Sequence, residues 1–307
     1  ATITLHIMSD EKQAKIQTFH KALLSSRRIV ALCGAGLSAP SGLETYRGPG
    51  GLWKKYDVNK LSTTTAFRDD PSFVWLLYAN RRHTALKAEP NSAHRALAAL
   101  AQERPEFLCM TQNVEDLSRR ANHPLDRLLT LHGSLFNLKC TICDWVQKDN
   151  FDDPICPALA PASTDHPDGI LPLMDPENPI DRIEKKDLPK CPQCPLGLQR
   201  PDVVWFGEKL DINLVRRADS FVDQEPLDMM LVIGTSALVW PAAGYIGRAR
   251  AQGARIVTID LTAQDPEQMA KMEPGDLAFA GDAAELLPLL LEPVIGKMQT
   301  DGTFVKE

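Results

Sequence analysis

Four of the seven cysteines in this chain form two C-x-x-C pairs, Cys140 with Cys143 and Cys191 with Cys194. Each pair presents two thiolates from one tight turn, and together they make the tetrahedral set that zinc takes in structural sites. Four thiolates leave no open position, so such an ion staples the chain and takes no part in chemistry. The stretch between the pairs, Asp144 to Lys190, is longer than in a compact zinc ribbon, which places an insertion there. Cys33 and Cys109 fall inside apolar runs and read as inert core residues. Cys156, in Pro154-Ile-Cys-Pro157, reads as structural. An odd cysteine count in a long chain points to a reducing compartment and metal binding over a disulfide framework.

A second constellation is Gly34-Ala35-Gly36-Leu37-Ser38-Ala39, directly after the apolar run Ile29–Cys33. It fits G-x-G-x-x-G/A, in which glycines permit a tight turn and close backbone approach to a phosphate. The plainer reading is a tight turn alone. An ordinary dehydrogenase should place an acid about 20 residues further on, after a second strand. This chain runs instead into Thr45-Tyr46-Arg47-Gly48-Pro49-Gly50-Gly51, a loop able to close over a ligand. His132, between an apolar run and Gly133, is either a packing histidine or a proton acceptor. Arg200 to Glu208 reads as an extended segment with two aromatics, either a core strand or an edge that pairs with a peptide.

The elements that must position these groups are legible in the apolar pattern. Glu11–Ser26 is expected to be helical, with Ile16, Phe19 and Leu23 at helical spacing. Ile29–Cys33, Phe107–Met110, Met229–Ile233 and Arg255–Ile259 are short continuous apolar runs, as in strands buried on both faces. Each ends in glycine or small polar residues: Gly34, Gln112-Asn113, Gly234-Thr235-Ser236 and Asp260. Helical patterns lie between, one of them opening at a Ser92 cap. Alternating strands and helices imply a parallel sheet, and ligands bind beyond the carboxyl ends of its strands. The polar residues just named should therefore gather at one edge. Two stretches break the rhythm: Tyr46 to Asn91, with a helix around Ser72–Lys87, and the Pro-, Asp- and Cys-rich Asn137 to Arg200, an irregular insert that needs a metal staple.

The formal net charge of −6, without a long Lys/Arg run, argues against a general binder of nucleic acid or anionic membrane. No stretch of about 18 apolar residues appears. The N-terminal Ala1-Thr-Ile-Thr-Leu-His lacks the charged-then-apolar layout of a secretory signal.

Together these residues resemble the sirtuin family. The motifs are Gly34-Ala-Gly-Leu-Ser-Ala-Pro-Ser-Gly42, Tyr46-Arg47-Gly48, Thr111-Gln-Asn-Val-Glu-Asp116, Leu131-His-Gly133, the four cysteines, Val203-Val-Trp-Phe-Gly-Glu208 and Gly234-Thr-Ser236, in the family's order. The resemblance implies an α/β fold: a Rossmann-like NAD-binding domain (1–45, 92–136 and 201–307), a cofactor loop and helical module (46–91) and a zinc module (137–200). NAD and an acyl-lysine protein or peptide would meet in the cleft between them. Gly34, Ala35, Gly36, Ser38, Tyr46 and Arg47 would hold the pyrophosphate and line the cofactor loop. Gln112, Asn113 and Asp116 would surround the nicotinamide and its ribose. Gly234, Thr235 and Ser236 would hold the adenosine side, with Asp282 and Ala283 near the adenine. Asp260 stands where sirtuins often carry Asn to meet the adenosine ribose. The acyl oxygen would attack the ribose carbon as nicotinamide leaves, giving an alkylimidate. His132 and Asn113 would be catalytic, the histidine as general base through the ribose hydroxyls. The products would be free lysine, nicotinamide and O-acyl-ADP-ribose. Val203, Val204, Trp205, Phe206 and Gly207 would contact the acyl-lysine.

Tyr78 and Arg81 stand three residues apart, on one face of the helix expected there. They are similar to the Tyr-x-x-Arg pair of the sirtuins that remove succinyl, malonyl and glutaryl groups. A guanidinium and a phenol can bind a terminal carboxylate by charge-assisted hydrogen bonds, and an acetyl group has none to offer. Ser62 would leave room for a longer acyl chain. The alternatives are a solvated Tyr and Arg on a helix surface, a general lysine deacetylase, a protein ADP-ribosyltransferase on the same fold, and a non-catalytic reader of NAD or acyl-lysine. The same subgroup resemblance points to mitochondria, with cytosol and nucleus left open.

Overall fold

The computed structural model describes residues 10–45, 58–165, 182–224 and 226–306. Tyr46 to Gly51 of the expected cofactor loop, Arg47 among them, lie outside the described residues.

Six parallel strands form the main sheet: β1 (Ile29–Cys33), β2 (Phe107–Thr111), β3 (Leu128–Thr130), β7 (Met229–Ile233), β8 (Arg255–Asp260) and β9 (Leu277–Ala280). Their spatial order is β3-β2-β1-β7-β8-β9. In chain order this is 3-2-1-4-5-6, the doubly wound arrangement with its switch point between β1 and β7. Every residue of β1, β2 and β7 is buried, as their continuous apolar runs require. Ile29, Ala31 and Cys33 face one layer of helices, α1 (Asp10–Ser25), α5 (Ser92–Glu103) and α10 (Ala283–Ile295). Val30 and Leu32 face the other, α7 (Ile212–Asp223) and α8 (Gly244–Ala251).

The four strands expected from apolar runs are present. Two more, β3 and β9, were not anticipated, being short and flanked by polar residues. The expected Ser92 cap is corrected. Asn91 caps α5, its side chain accepting from the Ala93 and His94 amides, while the Ser92 hydroxyl turns to the Ala284 carbonyl. Asn accepts here because its own backbone is extended, as the cap position needs.

A smaller antiparallel sheet, β5-β4-β6, is built from β4 (Gly133–Cys140), β5 (Val146–Gln147) and β6 (Gln199–Val203). The divisions drawn at 136/137 and 200/201 fall inside β4 and β6. Against this sheet packs α4 (Pro71–Lys87), preceded by α2 (Val58–Leu61) and α3 (Thr64–Asp69). Trp75 and Tyr78 of α4, Phe136 and Leu138 of β4, Leu159 and Leu188 of the insert, and Trp205 form one apolar core. The helical and cysteine-rich stretches therefore share their interior. Arg82 fastens them: 1% exposed, it donates to the carbonyls of Leu135, Asn150 and Asp152 and to the Asn150 side chain, with its guanidinium 5.4 Å from the Phe136 ring centre. Burial lowers its pKa to about 10, so it keeps its charge at neutral pH. The described part of the insert lies along α4, where His83 bonds to Asp153 and Asp165. Among the described residues, no helix is long and apolar enough to cross a membrane.

Candidate active site and metal centre

The four cysteine sulfurs lie within 4.8 Å of one another, with Cys140–Cys194 and Cys143–Cys191 both at 3.6 Å. Zinc–sulfur bonds of about 2.3 Å in a tetrahedron set sulfurs roughly 3.8 Å apart, so the cage fits zinc. The amides of Ile142 and Cys143 point at the Cys140 sulfur, and that of Gln193 at Cys191, as anionic thiolates favour. A Cβ at Gly197 would stand 2.3 Å from the Cys140 sulfur, so only glycine closes the cage. Cys156 stands apart from it, donating to the Asp187 carbonyl.

At the switch point the two turns touch backbone to backbone. Gly36 donates to the Gly234 carbonyl at 2.8 Å. A Cβ at Gly36 would lie 2.6 Å from the Gly234 Cα, and one at Gly34 equally close to the Thr235 Cβ. Gly234 has φ +57°, which glycine adopts without strain. The glycines thus let β1 and β7 deliver their turns to one edge. Gln112, from the end of β2, spans to Thr235 with a 3.1 Å hydrogen bond. Ser236 is exposed on the same rim. Asp282 caps α10 by accepting from Ala284, with buried Ala283 between. Asp260 ends β8 beside them, its carbonyl accepting from Gly281.

A buried polar chain lies beneath this edge. His94 is 1% exposed, and burial lowers its pKa to about 3, so the ring is neutral. Its Nδ1 accepts from the Asn91 amide, which leaves the proton on Nε2 to donate to the Ser38 hydroxyl at 3.2 Å. Ser38 donates in turn to Glu115 at 2.5 Å, and the other Glu115 oxygen accepts from the Val114 amide. Asn113 donates to Ser38 and to the Gly34 carbonyl, which fixes its side chain and leaves its oxygen for a ligand. Burial pushes the Glu115 pKa up.

Sequence reading named Ser38 and Asn113 here but missed Glu115 and His94. Asp116, the next residue, adopts φ +61° and accepts from the Ser134 hydroxyl, with Arg119 3.7 Å away. The signal for Glu115 was its place in Gln112-Asn-Val-Glu; nothing in the pattern decided which of two adjacent buried acids meets Ser38. Ser38→Ala should orphan buried acceptor and donor groups at Glu115 and His94, costing about 1–3 kcal/mol of stability. Urea unfolding measures this, and an unchanged midpoint would remove the chain's structural role.

His132 donates from Nδ1 to the Gln112 carbonyl at 3.1 Å, since a carbonyl only accepts. Its Nε2 therefore carries the lone pair, the tautomer a proton acceptor needs. Burial lowers its pKa below the usual 6.5. Gly133 follows at φ +78°, where a Cβ would strike the Asp202 carbonyl at 2.1 Å, so the turn that aims His132 requires glycine.

The segment after β6 runs beside it. Val204 donates to the His132 carbonyl, and Phe206 to that of Ser62. Val203 and Trp205 are buried, whereas Phe206 and Gly207 are exposed. Trp205 lies under the Arg200 guanidinium, 3.3 Å from its ring centre, and Arg200 forms a two-pronged pair with Glu208. The Trp205 indole N–H donates to the Tyr78 hydroxyl at 2.8 Å, which donates to Ser62 at 3.3 Å. Arg81 is half-buried, its guanidinium 5.3 Å from the Tyr78 ring centre, and its charge acts on Glu115. Tyr78 is 2% exposed, so the picture of two solvated side chains on a helix surface does not describe it.

The sequence profile of the Sir2 family matches residues 34–241. A Candida albicans protein named NAD-dependent protein deacylase is 43% identical, covering 92% of this chain and 98% of its own. The Xenopus tropicalis protein named NAD-dependent protein deacylase sirtuin-5, mitochondrial, is 35% identical, covering 94% of this chain and 87% of its own. A solved complex of a Sir2 homologue with NAD superposes with a TM-score of 0.70 at 33% identity, covering 94% of each chain. The chain belongs to the Sir2 family.

Proposed function

We propose that this protein removes acyl groups ending in a carboxylate (succinyl, malonyl, glutaryl) from protein lysines, and acetyl groups less well. The coarser activity comes with the family and the names of its relatives: NAD-dependent protein deacylation, with NAD as co-substrate. NAD supplies the ribose carbon that accepts the acyl oxygen. The residues of this chain bind, orient and move the proton. Gly34, Ala35, Gly36 and Ser38 would hold the pyrophosphate turn, and Gln112 and Asn113 the ribose. His132 would take a proton at Nε2. Val204, Phe206 and Gly207 would line the peptide.

The observation that carries the acyl preference is the placing of Tyr78. Its phenol is buried between Ser62 and Trp205, with Arg81 beside it. Trp205 fixes the phenol oxygen from one side. The O–H makes only a long bond to Ser62, which a carboxylate would replace with a charge-assisted one. The small Ser62 leaves length for the acyl chain.

In nicotinamide-release assays with matched acetyl- and succinyl-lysine peptides, Arg81→Met should lose the succinyl preference. A hydrogen bond to a charged group is worth about 1.5–3 kcal/mol, so kcat/KM should fall about tenfold or more on succinyl alone. Equal turnover of both peptides with a silent Arg81 would leave a general deacetylase. No release from either, with NAD still bound, would favour ADP-ribosyl transfer. Residence in mitochondria is proposed from the sirtuin-5 relative's name, and imaging of the tagged full-length protein tests it.

A further inference from the structure

The segment that follows β6 is tied to three parts of the site at once. The Val204 amide donates to the His132 carbonyl, the Phe206 amide to the Ser62 carbonyl, and the Trp205 indole to the Tyr78 hydroxyl, at 2.9, 2.9 and 2.8 Å. Where these bonds fall depends on the shape of one short turn, and Arg200 and Glu208 close that turn. The Glu208 amide donates to the Trp205 carbonyl at 2.9 Å. The Glu208 carboxylate then comes back to accept from the Trp205 amide at 2.8 Å. Arg200 grips the same carboxylate with two bonds of 2.7 and 2.8 Å, and its guanidinium lies 3.3 Å over the Trp205 ring centre. Phe67 packs against that ring as well, 5.4 Å between centres. Trp205 is therefore held by its amide, its carbonyl and its ring.

Arg200 is 4% exposed. Taking a guanidinium and a carboxylate out of water often costs as much as their attraction returns, so such a pair adds little net stability. What it supplies here is a fixed geometry. The guanidinium makes four hydrogen bonds, to the Pro201 and Val203 carbonyls and to both Glu208 oxygens. All four end within residues 201–208, so this cation is committed to its own segment and leaves an acyl carboxylate to Arg81.

We propose, taking Tyr78 and Arg81 as the readers of the acyl carboxylate, that Arg200 and Glu208 are positioning residues for the choice of acyl group. The pair clamps Trp205, and Trp205 sets the Tyr78 phenol where the carboxylate meets it. The proposal rests on that reading and falls with it. A misplacement of about 1 Å can cost about 100-fold in rate, so loosening a clamp one residue removed from the phenol should cost about tenfold.

The test is nicotinamide release from matched succinyl- and acetyl-lysine peptides by wild type, Arg200→Lys, Glu208→Gln and Arg81→Met. Lysine keeps the charge at 200 but loses the two-pronged grip and the planar stack. Glutamine keeps the shape at 208 and gives up the charge. Glu208 is half-buried, so its variant carries the test if the lysine variant does not fold. Each should lower the succinyl-to-acetyl ratio of kcat/KM about tenfold, through a higher KM for succinyl. A loss that is only structural lowers both peptides alike and leaves the ratio unchanged, which overturns the proposal. If Arg81→Met loses the preference while both clamp variants keep it, the clamp is refuted and the acyl reading stands. If wild type shows no preference and Arg81→Met is silent, the acyl reading itself has failed. A second readout needs no acyl group. With 5-fluorotryptophan in place of the five tryptophans, the Trp205 fluorine signal is identified by its loss in Trp205→Phe. It should shift in both clamp variants, and a signal that stays in place in variants that melt like wild type overturns the proposal.

Discussion

Replacement of His132 by alanine is expected to slow formation of free lysine by about 10²–10⁴-fold, the usual contribution of a positioned general base. The Gln112 carbonyl fixes the tautomer, so the whole effect should trace to loss of the Nε2 lone pair. KM should change little, because the ring is a proton acceptor and not an anchor. If the base acts after nicotinamide has left, exchange of labelled nicotinamide into NAD should be retained better than lysine release. Equal loss of both would place His132 earlier in the sequence. The pH profile supplies a second check. Burial disfavours the imidazolium, so the neutral base persists to lower pH. The acid limb of kcat/KM should therefore fall below the usual histidine value of 6.5 and disappear in the alanine variant. A limb above that value would assign it to another group.

Loss of the metal should have the larger structural effect. Structural zinc contributes apparent binding free energies of about 10–16 kcal/mol in small zinc-finger peptides, much of it folding free energy. Cys191→Ser removes one of four thiolates from a cage whose walls are the start of the shared core. Leu188 and Leu198 flank the second knuckle and pack with Trp75, Tyr78 and Trp205. Serine at this position should abolish stoichiometric zinc by elemental analysis and lower the melting temperature. It should also expose the Leu138 and Leu198 amides to hydrogen exchange, and activity should fall with them although the four cage cysteines are not proposed to touch NAD or acyl-lysine. A variant that keeps one zinc per chain and melts like wild type would show that the cage is not the staple.

The sheet was legible because its central strands are buried on both faces. Ile29–Cys33 and Met229–Ile233 show this as unbroken apolar runs. The zinc cage was legible because two knuckles at that spacing have few other uses. Short edge strands carry no such mark: Leu128–Thr130 is only three residues long, and its last residue is a half-buried threonine. The choice between Glu115 and Asp116 was hidden for another reason. Adjacent acids differ in backbone conformation, and with the left-handed turn at Asp116 one buried side chain meets Ser38 and the other Ser134. His94 looked like an ordinary residue of an amphipathic helix. Its partners Ser38 and Asn91 lie on separate segments and meet it only in the folded chain.

The unequal burial of Tyr78 and Arg81 bears on how this enzyme can change its diet. Tyr78 belongs to the interior that the zinc staple and Arg82 hold together, while Arg81 is only half covered. Large-to-small changes in such an interior typically cost about 3–5 kcal/mol, a large part of the 5–15 kcal/mol that keeps a domain folded. If the pair reads the acyl group as proposed, a lineage drifting toward a different one can therefore alter the guanidinium at a smaller cost than the phenol. It can alter the phenol only after stability has been gained elsewhere. Of two residues on one helix turn, the half-covered one is the easier to replace and the other is nearly frozen by its neighbours.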